Sequence, residues 1–179
     1  MADLIEATPD VALGRPTPCE DYDVAALLVH VWQAVAAFRA AAVKDPLPPP
    51  PAVDAADLPD EWKTRIPADL WALEAAWRDP EAWTGMTGAG GVDLPGDVAG
   101  IVALDEVVIH GWDLAKTIGG PAGYDGPGLP EILEQTRNFR ALDVPGLFGP
   151  EVLIRENADL FEQVLGMTGR DPDWTPPPG

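Results

Sequence analysis

Leu104-Asp105-Glu106-Val107-Val108-Ile109-His110-Gly111-Trp112-Asp113 is the stretch on which the reading of this chain turns. Glu106 and His110 stand four residues apart, so on a helix they project from one face, one turn from each other. Ala99, Ala103, Asp113 and Thr117 fall near the same stripe. The surroundings are apolar almost all round, through Val98, Ile101, Val102, Val108, Ile109, Trp112 and Leu114. A helix of that kind is central and covered by others. A carboxylate buried in it without a partner would be costly. A local salt bridge to His110 removes that cost, and so does a divalent cation shared by Glu106 and His110; spacing alone leaves both readings open. Gly111 costs about 1 kcal/mol relative to alanine inside a helix, which points to a close backbone approach or to helix–helix packing. Asp113 suits two roles equally: an acceptor behind His110, or a cap or solvated surface residue.

Outward from this stretch, Pro95 is placed as a first-turn proline with Asp93 as a possible cap. The helix it opens runs to Ile118 and stops at Gly119-Gly120-Pro121, about 24 residues or roughly 36 Å. A second long helix is predicted from Val24 to Val43, capped by Asp21 or Asp23. Its stripe is Val24, Leu27, Leu28, Val31, Val35 and Phe38. His30 lies on the flank of that stripe, beside Ala26, Ala34, Ala37 and Ala41, where small residues leave room for an imidazole. By itself it reads as an edge residue satisfied by a carbonyl or water. Placed opposite Glu106-x-x-x-His110, it completes a two-histidine, one-carboxylate set.

The remaining pattern is helical. A stub is predicted over Ala2 to Thr8, a helix over Asp60 to Trp77 with Pro67 kinking it or starting its longer half, one over Pro130 to Ala141, and one over Pro150 to Leu165. Pro46 to Pro51 reads as a stiff extended connection. Pro80 to Asp93 reads as irregular, with Trp83 and Met86 as packing anchors, and no alternating strand pattern stands out. The expected fold class is therefore all-α, with residues 1–179 as one domain. The 21 prolines and 18 glycines fall mostly at helix starts and links, so they do not contradict this.

The net charge of −19 argues against nucleic acid or an anionic membrane surface as partner, because phosphates would be repelled. Val24 to Val43 has the length of a membrane span, but it is mostly alanine and reads as a buried helix of a soluble protein. Neither the N-terminus nor the one cysteine, Cys19, suggests secretion, so a reducing cytoplasmic setting is expected. Cys19 is expected to be a buried, inert thiol. Trp112 and Trp32 are candidates to wall a pocket or simply to pack in the core. Arg137, Arg140 and Arg155 are candidates to bind a carboxylate on a small molecule, or to pair with acids at the surface. The sequence leaves a homodimer open.

Thr17-Pro18-Cys19 leading into the helix with His30, the block Leu104 to Ala115, and Gly169-Arg-Asp-Pro-Asp-Trp174 resemble the N-terminal-domain family of mycothiol-dependent maleylpyruvate isomerase, in particular its stand-alone members. The resemblance implies a DinB-like four-helix bundle, here with a short or truncated first helix and additional C-terminal helices. It also implies a metal, usually taken as zinc, on the positions His30, Glu106 and His110, and a low-molecular-weight thiol such as mycothiol as partner. Iron(II) suits the same donor set, as does nickel. Three protein ligands leave open positions, which is the arrangement of a catalytic zinc site. The implied activity is thiol-dependent transfer or isomerisation; the alternative is a metal-containing bundle that binds a ligand or protein without catalysis. The isomerase proper has a further C-terminal domain, and the chain ends at Gly179 without one, so maleylpyruvate isomerisation does not follow. With its first helix shortened, the bundle is expected to lack a full wall, either filled by a partner or left as a groove.

Overall fold

The computed structural model of the chain describes residues 1–142 and 147–177. In chain order its regular elements are α1 (Ala2–Ala7), α2 (Val24–Ala42), α3 (Trp62–Trp77), β1 (Met86–Ala89), β2 (Val92–Pro95), α4 (Gly96–Ile118), α5 (Leu129–Ala141) and α6 (Leu160–Met167). Short 3-10 turns at Asp10–Ala12, Ala55–Asp57 and Pro80–Trp83 link them. The helical expectation holds, and α4 is the central element.

Asp23 starts α2, its carboxylate accepting the Ala26 N–H at 2.9 Å. The predicted stripe of α2 is buried in full and packs on α3 and α4. Among the described residues α2 is the one helix long and apolar enough to cross a membrane, but its apolar face forms the core of this fold. On its other side α4 turns Val108, Ile109 and Trp112 onto Leu129, Ile132 and Leu133 of α5 and onto Phe161, Val164 and Leu165 of α6. It ends where Gly119 takes the left-handed conformation, at φ +74°. The stub α1 rests on α3 and α4. Beside it a cleft of about 460 Å³ stays open, walled by Trp71, Trp77, Trp83, Leu73, Leu104 and Val107.

Several expectations are corrected. Pro80 to Asp93 is not wholly irregular: β1 and β2 form an antiparallel hairpin in the register Met86↔Pro95 to Ala89↔Val92. Its two-residue loop is Gly90-Gly91, both at positive φ (+60° and +83°), which a type I′ turn requires. Four-residue strands are too short for alternation to show, and the Gly-Gly pair carried the signal instead. Met86 is 62% exposed and anchors nothing, whereas Trp83 stacks edge-on against Trp77.

Pro95 closes β2, and Gly96 is the first residue of α4. A Cβ at Gly96 would lie 2.7 Å from the Ala82 carbonyl, so only glycine fits where strand passes into helix. The last helix begins at Leu160 rather than Pro150. Asp159 and Glu162 form a capping box that sets its start, a signal stronger than the apolar residues upstream of it.

Gly111 is not a point of close approach. A Cβ there would meet only Met1, at 3.5 Å, an ordinary contact. Gly111→Ala is therefore expected to stabilise the fold by about 0.5–1 kcal/mol through helix propensity. A rise in the denaturation midpoint would show it; a fall would mean that α4 needs glycine for packing.

Candidate metal centre

His30 on α2 and Glu106 and His110 on α4 converge, with one ligand atom from each lying within 4.8 Å of the others. His30 Nε2 is 3.0 Å from Glu106 Oε2, and His110 Nε2 is 3.4 Å from the same oxygen. The two imidazoles meet edge-to-face, 4.7 Å between centroids. Tyr22 lies over the outer side of His30, 5.2 Å between ring centroids, and is the aromatic wall of the site.

Behind His110 stands a buried relay. Its Nδ1–H donates to Asp113 Oδ2 at 2.9 Å, and Asp113 is fully buried. Arg170 donates to the same carboxylate through Nη2 (3.1 Å) and Nε (3.4 Å), and through Nη1 to the Thr168 carbonyl. Asp113 thus fixes which nitrogen of His110 faces inward. Of the two roles the sequence left open for Asp113, acceptor is the one the structure shows.

The electrostatics follow from these partners. Burial alone would depress the pKa of His110, but its bonds to Asp113 and Glu106 outweigh it and raise the pKa to about 9. Burial alone would raise that of Glu106, yet hydrogen bonds from His110 and His30 hold it well below the usual carboxylate range. Asp105, next along the helix, is raised to about 7 by burial and by the charge of Glu106. Its Oδ1 is buried and has no hydrogen-bond partner among the described residues.

The trio opens into a cavity of about 670 Å³ between the loop before α2, the flank of α4 and the chain on either side of α6. That is the size range of a small-molecule site. Cys19 lines it, half-buried rather than buried. The loop that carries it is pinned by the Thr17 hydroxyl, 2.8 Å from the Tyr22 carbonyl, and by a bridge between Pro16 and Asp23. Burial pushes the Cys19 thiol up to about 11 against the pull of Arg170, so it is neutral near pH 7. Cys19, His110 and Asp113 also offer ligand atoms within 4.8 Å. That second group suits a cation poorly, since Asp113 is already committed to a guanidinium.

Trp32 and Trp112 do not line the cavity. Trp32 donates to Asp69 across the α2–α3 contact, with Arg65 over its ring. Trp112 packs between α5 and α6. Of the three candidate arginines, Arg155 pairs with Glu162, Arg140 binds the Met167 and Gly149 carbonyls, and Arg137 is exposed. The guanidinium at the site is Arg170, which the sequence reading passed over. Its signal was the Gly169-to-Trp174 block: Gly169 turns at φ +83° and passes so close to Gly149 that a Cβ would lie 2.9 Å from its Cα.

A helical fold whose second and fourth helices bring two histidines and a glutamate to one point is that of the DinB-like bundles. The family model described as the mycothiol maleylpyruvate isomerase N-terminal domain matches residues 1–115, and the chain belongs to that family. The match covers His30, Glu106, His110 and Asp113 and ends before α5, α6 and Arg170. No curated protein and no solved structure matches the chain.

Proposed function

We propose that His30, Glu106 and His110 hold one divalent cation, with zinc as first choice and iron(II) or nickel compatible with the same donors, and that the protein is a thiol-dependent transferase or isomerase. The observation that carries this is the convergence of three ligand atoms on one point while the far nitrogen of His110 is locked by Asp113. Two imidazoles and one carboxylate suit these metals, and a hydrogen-bonded second nitrogen is what a ligating histidine ordinarily has. When bound, such a cation supplies Lewis acidity that lowers the pKa of a coordinated water or thiol.

The chain's own residues do the rest. Asp113 and Arg170 orient His110, and Tyr22 shields His30. The cavity admits a small molecule to the open side of the trio. Membership of a mycothiol-related family supports a low-molecular-weight thiol as that molecule.

Calorimetric titration of metal-free protein with zinc tests the metal reading. One cation per chain is expected. His110, whose pKa stands near 9 instead of 6.5, carries a proton that the cation must displace. About one proton per chain should therefore be released between pH 6.5 and 9, and affinity should rise with pH across that window. Glu106 is already ionised there and releases none. Absence of binding would overturn the proposal.

A further inference from the structure

The segment after α6, Gly169 to Trp174, lies outside the part of the chain that the family model covers, yet it is tied to α4 directly behind His110. Two hydrogen-bonded contacts make the tie. Arg170 donates to the Asp113 carboxylate, and Lys116, three residues further along α4, donates to the Pro172 carbonyl at 3.0 Å. Beyond them Trp174 packs on the apolar cluster shared by α4, α5 and α6. On the near side Gly169 turns at positive φ against Gly149. Arg140 on α5 donates to the Met167 and Gly149 carbonyls beside that turn. Arg170 therefore springs from backbone that is held on both sides.

Its side chain does more than balance a charge. Nε meets Asp113 Oδ1 at 3.4 Å and Nη2 meets Oδ2 at 3.1 Å, one nitrogen to each oxygen. Such a fork fixes the plane of a carboxylate, which an ammonium, acting as a point charge, does not. Nη1 donates to the Thr168 carbonyl at 2.8 Å and so fixes the fork itself. Oδ2 is also the atom that accepts from His110 Nδ1 at 2.9 Å. Among the described residues, no side chain other than Arg170 and His110 donates to this carboxylate. The setting of the His110 ring is thus passed from Arg170 through a single carboxylate plane.

From a two-point fork on the carboxylate that holds an imidazole of the trio, we infer that Arg170 is a positioning residue for the metal centre. It acts through Asp113 on His110, and the site formed by His30, Glu106 and His110 reaches its full affinity only with the segment after α6 in place. This rests on the metal reading of the trio and adds the part of the chain that sets how tightly the trio binds. An imidazole whose supporting carboxylate is free to turn must be ordered on binding, and that cost falls on affinity.

The test uses full-length protein, Arg170→Lys and Arg170→Leu. Each is freed of metal, then titrated with zinc by calorimetry and with cobalt(II) by visible absorption, with circular dichroism as the control for folding. Arg170→Lys keeps a positive charge beside Asp113, and hence the fold, but loses the fork. Its zinc affinity is expected to fall about tenfold and its cobalt bands to shift, since the ligand field follows the setting of His110. Arg170→Leu leaves Asp113 without a counter-charge and should lose more; if it does not fold, Arg170→Lys decides alone.

Parent affinity and parent cobalt bands in folded Arg170→Lys would overturn the inference and leave Arg170 a counter-charge only. Failure of the parent protein to bind zinc would instead overturn the metal centre itself, and this inference with it.

Discussion

His110→Ala is expected to purify without its cation, and His30→Ala likewise, while the parent protein retains about one per chain. Each substitution removes one of three ligand atoms that lie within 4.8 Å of one another. Loss of a partner that merely orients a metal ligand costs about 10–100-fold in affinity, so loss of the ligand itself should exceed about 100-fold. Neither change should unfold the chain. His30 is about a quarter exposed, and removal of His110 leaves Asp113 still paired with Arg170. Elemental analysis of untagged protein, with circular dichroism as the control for folding, decides the matter. A stoichiometric metal content in either folded variant would mean that the trio is only a polar patch.

The second large effect falls on stability. Asp113→Ala is expected to destabilise the protein by about 3–5 kcal/mol, because it leaves the Arg170 guanidinium, 11% exposed, without a counter-charge. For a chain of this size that is a drop of roughly 10 °C in Tm. Asp113→Asn also removes the counter-charge of Arg170, but it keeps the shape and an oxygen that accepts from Arg170 or His110, so its loss of stability should be smaller than that of Asp113→Ala, and metal affinity in the folded fraction should fall about 10–100-fold. Unchanged affinity in Asp113→Asn would leave Asp113 as a structural partner of Arg170 and no more.

Much of this was legible along the chain. The i,i+4 pair Glu106 and His110, the apolar surround of α4 and the alanine flank of His30 are local facts of period 3.6; they located the helices and the pair, while His30 was joined to it through the family resemblance. Where local signals competed, the sequence misled. The Gly90-Gly91 turn was hidden by strands too short to alternate. The Asp159–Glu162 capping box set a helix start ten residues beyond the one that Pro150 promised. Trp32 and Trp112 were poor pocket candidates, since a tryptophan on a helix declares burial but not what buries it.

Residue spacing by itself determined that the chain is helical, that α4 is its axis, and that Glu106 and His110 share a face, because helix periodicity needs no knowledge of distant segments. Only tertiary structure decided that His30 faces them, that Tyr22 and Cys19 line the same cavity, and that Arg170, 57 residues beyond Asp113, closes the relay behind His110. Those contacts depend on how loops without periodicity bring remote chain together. They are set by the packing of α2 and its preceding loop on α4 and by the return of the chain after α6, which no local pattern encodes.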